Sequence, residues 1–188
     1  MNVVPGLGDH NVGMNLVAGI LAALYQAKTK GIGEKVTTSL FQTAVFNMGM
    51  MIQAAQYKDI GTPYPINVRE GNNPLLAAWK TKEGRYIQTC TPDYNTYYKK
   101  FMSAIGRDDL VDSERYFPIQ NVQKAGVGYE VYDIVMEAIG KMTVEECSER
   151  LTKADIPFAL AQSLEEILED KQAWANECFY SMKYDNGN

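Results

Sequence analysis

The chain has 188 residues, 46% of them hydrophobic and 22% charged, and a formal net charge of −5 at pH 7. That balance is the ordinary one of a globular protein, and the length suffices for a sizeable core in one domain or two small ones. The acidic balance argues against nucleic acid as the partner, since phosphate binding needs a basic surface.

The first organised stretch is Gly6-Leu7-Gly8-Asp9-His10-Asn11-Val12-Gly13-Met14, running into an apolar segment over 15–27. Asp9 has two readings. It can be a helix N-cap, because its carboxylate accepts from the free amides of a first turn and suits the dipole there. It can also be held out of a glycine turn with its oxygens free to react. Three glycines, at positions 6, 8 and 13, exceed what a simple cap needs. A helix is predicted over 11–28, with Val17, Ile20, Leu21 and Leu24 at i, i+3, i+4 and i+7 and alanines filling its sides. Gly19 costs that helix roughly 1 kcal/mol against alanine, which a close backbone contact would explain. Lys28, Lys30 and Gly31 mark its end. A short strand is predicted over 34–38. Thr38 or Ser39 then caps a helix over 40–57, whose Met48, Met50 and Met51 form either a plastic surface for an acyl chain or plain core.

These residues together resemble a known family. Gly8-Asp9-His10-Asn11-Val12-Gly13-Met14-Asn15, Gly19-Ile20-Leu21-Ala22-Ala23-Leu24-Tyr25, Lys28-Thr29-Lys30-Gly31-Ile32-Gly33-Glu34-Lys35-Val36, then Ser39-Leu40 and Ala44, are similar to the core signature of the family III CoA-transferases. The group includes formyl-CoA transferase and the carnitine and bile-acid CoA-transferases. The rest of the chain resembles the family's middle section, particularly that of the branched-chain or aromatic 2-hydroxyacyl-CoA transferases of fermenting anaerobes. Members are longer at both ends, so the resemblance implies an internal fragment of a full enzyme. It also implies that Asp9 is the nucleophile, and that a glycine-rich loop closes over the site.

From 58 to 73 the periodicity vanishes. Gly61, Pro63, Pro65, Gly71 and Pro74 mark a long irregular connection, the kind that is functional or mobile. Where the family places its glycine-rich loop, this chain has Arg69-Glu70-Gly71-Asn72-Asn73-Pro74. Gly71 and Asn72 are candidates for CoA contact, and an interdomain linker is the competing reading.

Strands over 77–80 and 85–90 flank Thr81-Lys82-Glu83-Gly84, a hairpin signal. A helix follows over 94–105, with Tyr94, Tyr97, Tyr98 and Phe101 as an aromatic stripe that reads as core or interface. Gly106 to Asp109 reads as a turn, and Pro118 and Gly126-Val127-Gly128 bracket an irregular piece. A helix is predicted over 129–139. Thr143 and Glu146 form a capping box that opens a helix to Ala154. The stretch 156–161 contains Pro157, which makes it an edge strand. Ser163 and Glu166 repeat the capping box. Glu165, Glu166, Glu169 and Asp170 read as a solvated acidic face with Lys171 as one partner. Phe179 to Met182 is strand-like, followed by the turn signal Asp185-Asn186-Gly187-Asn188.

The three cysteines, Cys90, Cys147 and Cys178, are odd in number and lack CxxC spacing. They read as reduced thiols of a cytoplasmic protein rather than a disulfide framework or zinc site. His10 is the single histidine, which excludes a multi-histidine metal site. The start lacks the basic-then-apolar pattern of a secretory leader. The apolar run over 16–25 is shorter than the roughly 20 residues a bilayer span takes.

The expected fold class is α/β. Residues 1–65 belong to a larger Rossmann-like α/β domain, 66–175 form a smaller α+β domain, and 176–188 return toward the larger one. The resemblance implies an interlocked homodimer. It also implies transfer of CoA from an acyl-CoA to a free carboxylic acid, with coenzyme A thioester as substrate, no permanently bound cofactor and no metal. Asp9 would pass through a mixed anhydride and then an aspartyl-CoA thioester, and Gly8 and His10 would contact the CoA ester through backbone amides. The competing reading is a non-catalytic assembly or binding domain in which Asp9 is only a helix cap. A thiol enzyme built on Cys90 needs a nearby base, and nothing in the sequence brings His10 to it.

Overall fold

The computed structural model describes residues 4–57 and 67–184. The predicted connection over 58–66, with its Gly61, Pro63 and Pro65, and the final turn signal over 185–188 lie outside the described residues. The chain divides into two compact units, Met1–Pro65 and Ile66–Asn188. The whole is a mixed α/β chain, mostly helical, with one small antiparallel sheet among the described residues.

In the first unit, α1 spans Leu7–Lys30, starting four residues before the predicted helix. The cause is Gly6. It takes φ +80 as the N-cap, a left-handed conformation that side chains other than glycine resist, and the chain can wind into a helix directly after it. The amide of Leu7 bonds the Val4 carbonyl at 3.2 Å and that of His10 bonds the Gly6 carbonyl at 3.0 Å. Gly8 and Gly13 are then ordinary helical residues. The helix stops as expected, with Lys28 and Lys30 in its last turn and Gly31 left-handed beyond it.

The stretch over 34–38 has no ladder partner among the described residues and forms no strand there. It packs on α1 through Val36. A Cβ on Gly19 would approach Val36 Cγ1 to 2.7 Å, which is the close contact that accounts for a glycine in mid-helix. The predicted helix over 40–57 is broken into α2, Leu40–Asn47, and α3, Gly49–Ala55. The break is at Met48, whose ψ of 10° leaves the helical range. Ser39 is the cap of α2, accepting from the Gln42 amide at 3.1 Å.

The second unit opens with a 3₁₀ turn at Val68–Glu70. Strands β1, Ala78–Lys80, and β2, Tyr86–Thr89, form the predicted hairpin, with Trp79 opposite Ile87. Strand β3, Phe158–Leu160, adds to β2 and is an edge, as Pro157 requires. Helices α4, Tyr94–Ala104, α6, Gly128–Ile139, and α7, Val144–Lys153, cover the predicted positions. The segment read as irregular holds a further helix, α5, Ile119–Ala125. Proline at its start and left-handed Gly126 at its end are helix punctuation rather than loop signals. Both capping boxes form, at Thr143 and at Ser163, the latter opening α8, Leu164–Glu169. Helix α9 spans Lys171–Ala175. The strand-like residues 179–182 join no ladder among the described residues.

Trp79, fully buried, packs on Tyr132 with ring centroids 4.9 Å apart. Its indole N–H donates to Thr89 Oγ1 at 2.8 Å, and the Thr89 hydroxyl donates to the Leu75 carbonyl at 2.7 Å. The aromatic stripe on α4 is core: Tyr94, Tyr98 and Phe101 are buried, and Tyr97 packs at the margin. Buried phenols keep partners, Tyr94 donating to the Tyr116 carbonyl at 2.6 Å and Tyr98 to the Leu110 carbonyl at 2.8 Å. Among the acidic residues near the C-terminus, Glu166 accepts from Arg85 at 2.8 Å, Asp170 accepts from Gln162 at 2.8 Å, and none pairs with Lys171 among the described residues.

Candidate functional site

The first turn of α1 presents Gly8, Asp9 and His10 consecutively, all exposed. Asp9 is the third residue of the helix, not its cap. That position belongs to Gly6, which has no side chain to offer, and no side-chain cap bond is made. The capping account of Asp9 therefore has no bond behind it. Its carboxylate accepts no hydrogen bond among the described residues and stands where the helix dipole favours an anion. The His10 amide is committed to the Gly6 carbonyl, so it is not the free donor expected from the sequence. The Gly8 amide makes no backbone bond among the described residues, as is usual for the first amides of a helix. The His10 ring folds back over Gly6, where a Cβ would sit 3.7 Å from its Cδ2 and Nε2.

Two contacts fix this turn on α2. A Cβ on Gly8 would meet Leu40 Cδ2 at 3.3 Å, so the small residue sets the approach of the two helices. Asn15 Nδ2 donates to Thr43 Oγ1 at 3.2 Å, and Thr43 is the one buried polar side chain among the first unit's described residues. Met48, Met50 and Met51 are all exposed, so the core reading of that cluster does not hold within this chain.

Gly71 and Asn72 belong to the second unit. They line a cleft of about 400 Å³ with Pro74, Ile119, Val122, Gln123 and Tyr129. The α5 and α6 residues of this cleft were not singled out from the sequence. The sequence signal for them is the Pro118-to-Gly126 helix punctuation. The loop is held at both ends. Arg69 pairs with Asp133 on α6, and Asn73 Nδ2 donates to the Thr91 carbonyl at 2.5 Å. The second oxygen of Asp133 is buried with no hydrogen-bond partner among the described residues.

Among the described residues no cluster of histidine, cysteine, aspartate and glutamate is placed to hold a metal, and no helix is long and apolar enough to cross a membrane. The three cysteines are free thiols. Cys90 is exposed, its amide donating to the Pro157 carbonyl at 2.8 Å. Cys147 is buried, and burial pushes its thiol up to about 11.

The family model described as CoA-transferase family III matches residues 1–188. A cinnamoyl-CoA:phenyllactate CoA-transferase from Clostridium sporogenes is 52% identical over 187 residues, covering 100% of this chain and 45% of the relative. An (R)-2-hydroxy-4-methylpentanoate CoA-transferase from Clostridioides difficile is 41% identical over 187 residues, covering 100% of this chain and 46% of the relative. The crystal structure of Rv3272 from M. tuberculosis superposes with a TM-score of 0.72 at 19% identity, over 97% of this chain and 49% of that one. This last likeness speaks for the fold alone. The chain spans about half the length of the curated relatives it matches.

Proposed function

The chain belongs to CoA-transferase family III, and from that premise we propose that it carries the reacting residue of an enzyme moving CoA from an acyl-CoA thioester to a free carboxylic acid. The observation that carries this reading is the state of Asp9. It is exposed in the first turn of α1, uncapped and without a hydrogen-bond partner among the described residues, at the position of the family's nucleophile.

In the reaction, an Asp9 oxygen attacks the thioester carbonyl. The C–S bond breaks and the electron pair leaves as the CoA thiolate, giving a mixed anhydride of Asp9 and the acyl group. The thiolate attacks the aspartyl carbonyl, releasing the first acid and leaving an aspartyl-CoA thioester. The acceptor carboxylate then runs the two steps in reverse. One difficult exchange is split into easier ones. The free Gly8 amide is a donor for the developing oxyanion. Gly71 and Asn72 remain candidates for contact with the CoA ester, and so does His10, through its ring, since its amide is bonded to the Gly6 carbonyl. No other cofactor and no metal takes part.

The names of the two relatives, each of which includes a 2-hydroxy acid with an apolar side chain, support a substrate class. We assign this chain an aromatic or branched-chain 2-hydroxy acid. In the same reading, 1–65 is part of a Rossmann-like α/β domain, 66–175 a small α+β domain and 176–188 a return segment. The enzyme is a cytoplasmic, interlocked homodimer that binds neither nucleic acid nor membrane.

The test is chemical trapping. The protein is incubated with cinnamoyl-CoA and hydroxylamine, and its peptides are mapped by mass spectrometry. A hydroxamate on Asp9, absent in Asp9→Asn, is the expected result. An unmodified Asp9 in a protein that transfers CoA would overturn the assignment. The same substitution separates this from a binding domain, because Asn caps a helix about as well as Asp but does not act as the nucleophile.

A further inference from the structure

We propose that the hydrogen bond from Asn15 to Thr43 sets the register of α1 on α2 and thereby places Asp9, which makes Asn15 and Thr43 positioning residues for the transfer; this rests on the CoA-transfer reading above. Asn15 Nδ2 donates to Thr43 Oγ1 at 3.2 Å. Every residue the inference uses, Gly8, Asp9, Asn15, Leu40 and Thr43, lies in the first unit.

The spacing makes one docking face on each helix. Gly8 and Asn15 stand two turns apart on α1 and share a face. Leu40 and Thr43 stand at i and i+3 on α2 and share one as well. One pair meets where a Cβ on Gly8 would approach Leu40 Cδ2 to 3.3 Å, and the other meets through the hydrogen bond. Asp9 follows Gly8 directly and is turned about 100° further round the helix, off the contact face, where it stays exposed. Whatever holds Gly8 against Leu40 therefore also fixes the point from which the Asp9 carboxylate projects.

Apolar packing does little to fix this register. Val17 and Leu21 of α1 and Phe41 and Val45 of α2 are exposed, whereas Thr43 is only 5% exposed. Apolar contact is non-directional, so two helices with little buried between them slide at small cost. A buried hydroxyl costs free energy when it lacks a partner, and a slip that parts Thr43 from Asn15 is penalised in that way. One buried polar residue can specify the register of paired helices at some cost in stability. A slip of a single residue along α1 would carry Asp9 about 1.5 Å, and a misplacement of about 1 Å can cost on the order of a hundredfold in rate.

The experiment compares the 188-residue chain with Thr43→Val, which keeps the shape and removes the hydroxyl, and with Thr43→Ser, which keeps the hydroxyl. Two quantities are measured on each. One is the rate of hydroxamate formation on Asp9 as cinnamoyl-CoA is raised in the presence of hydroxylamine. The other is the nuclear Overhauser contact between the Gly8 α-protons and the Leu40 methyls, which reads the placement without any chemistry. In Thr43→Val the saturating rate should fall about tenfold or more, with the half-saturating concentration within about twofold, and the contact should weaken. Thr43→Ser should restore both. Asn15→Ala should match Thr43→Val, and the double variant should lose no more than either alone, because one bond accounts for both. Thr43→Val trapped at the original rate, an unchanged Gly8–Leu40 contact in that variant, or losses that multiply in the double variant would overturn the proposal. A chain whose contact weakens in Thr43→Val but which itself yields no hydroxamate defeats the transfer reading and leaves the register account standing.

Discussion

The two units use their apolar residues in opposite ways. In Ile66–Asn188, Trp79, Ile87, Tyr98, Phe101, Val135 and Leu151 are buried together with others into one continuous core. In the first unit Val17, Leu21, Leu24, Phe41 and Phe46 are all exposed, and Thr43 is the buried residue among those described. Apolar content therefore does not by itself make a core. A sheet covered by helices gives each face something to bury against, whereas in this chain, which spans about half the length of its curated relatives, the described residues of the first unit leave much of their apolar surface uncovered. The first unit holds its form by local means: a 24-residue helix with glycine stops at both ends, a serine cap, and the Gly19–Val36 contact.

Core truncation is the strongest way to break this contrast. Trp79→Ala should cost about 3–5 kcal/mol and also remove the donor that the Thr89 hydroxyl oxygen accepts from, whereas Leu21→Ala, already 61% exposed, should change stability by no more than about 0.5 kcal/mol. Urea unfolding followed by circular dichroism measures both, and equal costs would erase the distinction between the units.

Alkaline titration tests the closed core by another route. Cys147 is raised by burial from 9.0 to about 11 in the folded chain. Because the folded value lies above the unfolded one, its stabilisation is complete below about pH 9 and is lost as pH rises through 11. Tyr98, pushed up to about 12 first by burial and then by Tyr116, extends that loss upward. Cys147→Ala should flatten the first part of the slope. At neutral pH a maleimide should label Cys90 and Cys178 quickly and Cys147 only after denaturation.

Smaller changes sharpen the account of the first unit. Gly19→Ala gains helix propensity but drives a methyl against Val36. A net loss of about 1 kcal/mol is expected, since overpacking costs more than the propensity returns. Hydrogen exchange at the Val36 amide should quicken, and a second change, Val36→Ala, should restore stability. Thr143→Ala, which removes a formed capping box from the second unit, should cost about 1 kcal/mol. Breaking the exposed Glu137–Lys141 pair should cost about 0.3–0.5 kcal/mol.

Sequence alone determined what neighbours within a turn decide: α1 and its glycine stop, the hairpin, the aromatic stripe of α4, the two capping boxes, and the need for a close contact at Gly19. These rest on bonds and contacts between residues no more than a few positions apart, or on one side chain's conformational limits. It also marked the Gly-Asp segment, because its glycines exceed what a cap requires. Tertiary structure alone decided the rest. Residues 34–38 have strand composition, but a strand exists only with a ladder partner, and among the described residues they have none. Asp9 was legible as a candidate, yet whether it capped the helix depended on where Gly6 started it. Gly71 and Asn72 were legible as a loop, but their cleft is completed by Ile119, Gln123 and Tyr129, some fifty residues further along. No local pattern encodes that meeting, which arises when α5 and α6 pack against a loop anchored by Arg69 and Asn73.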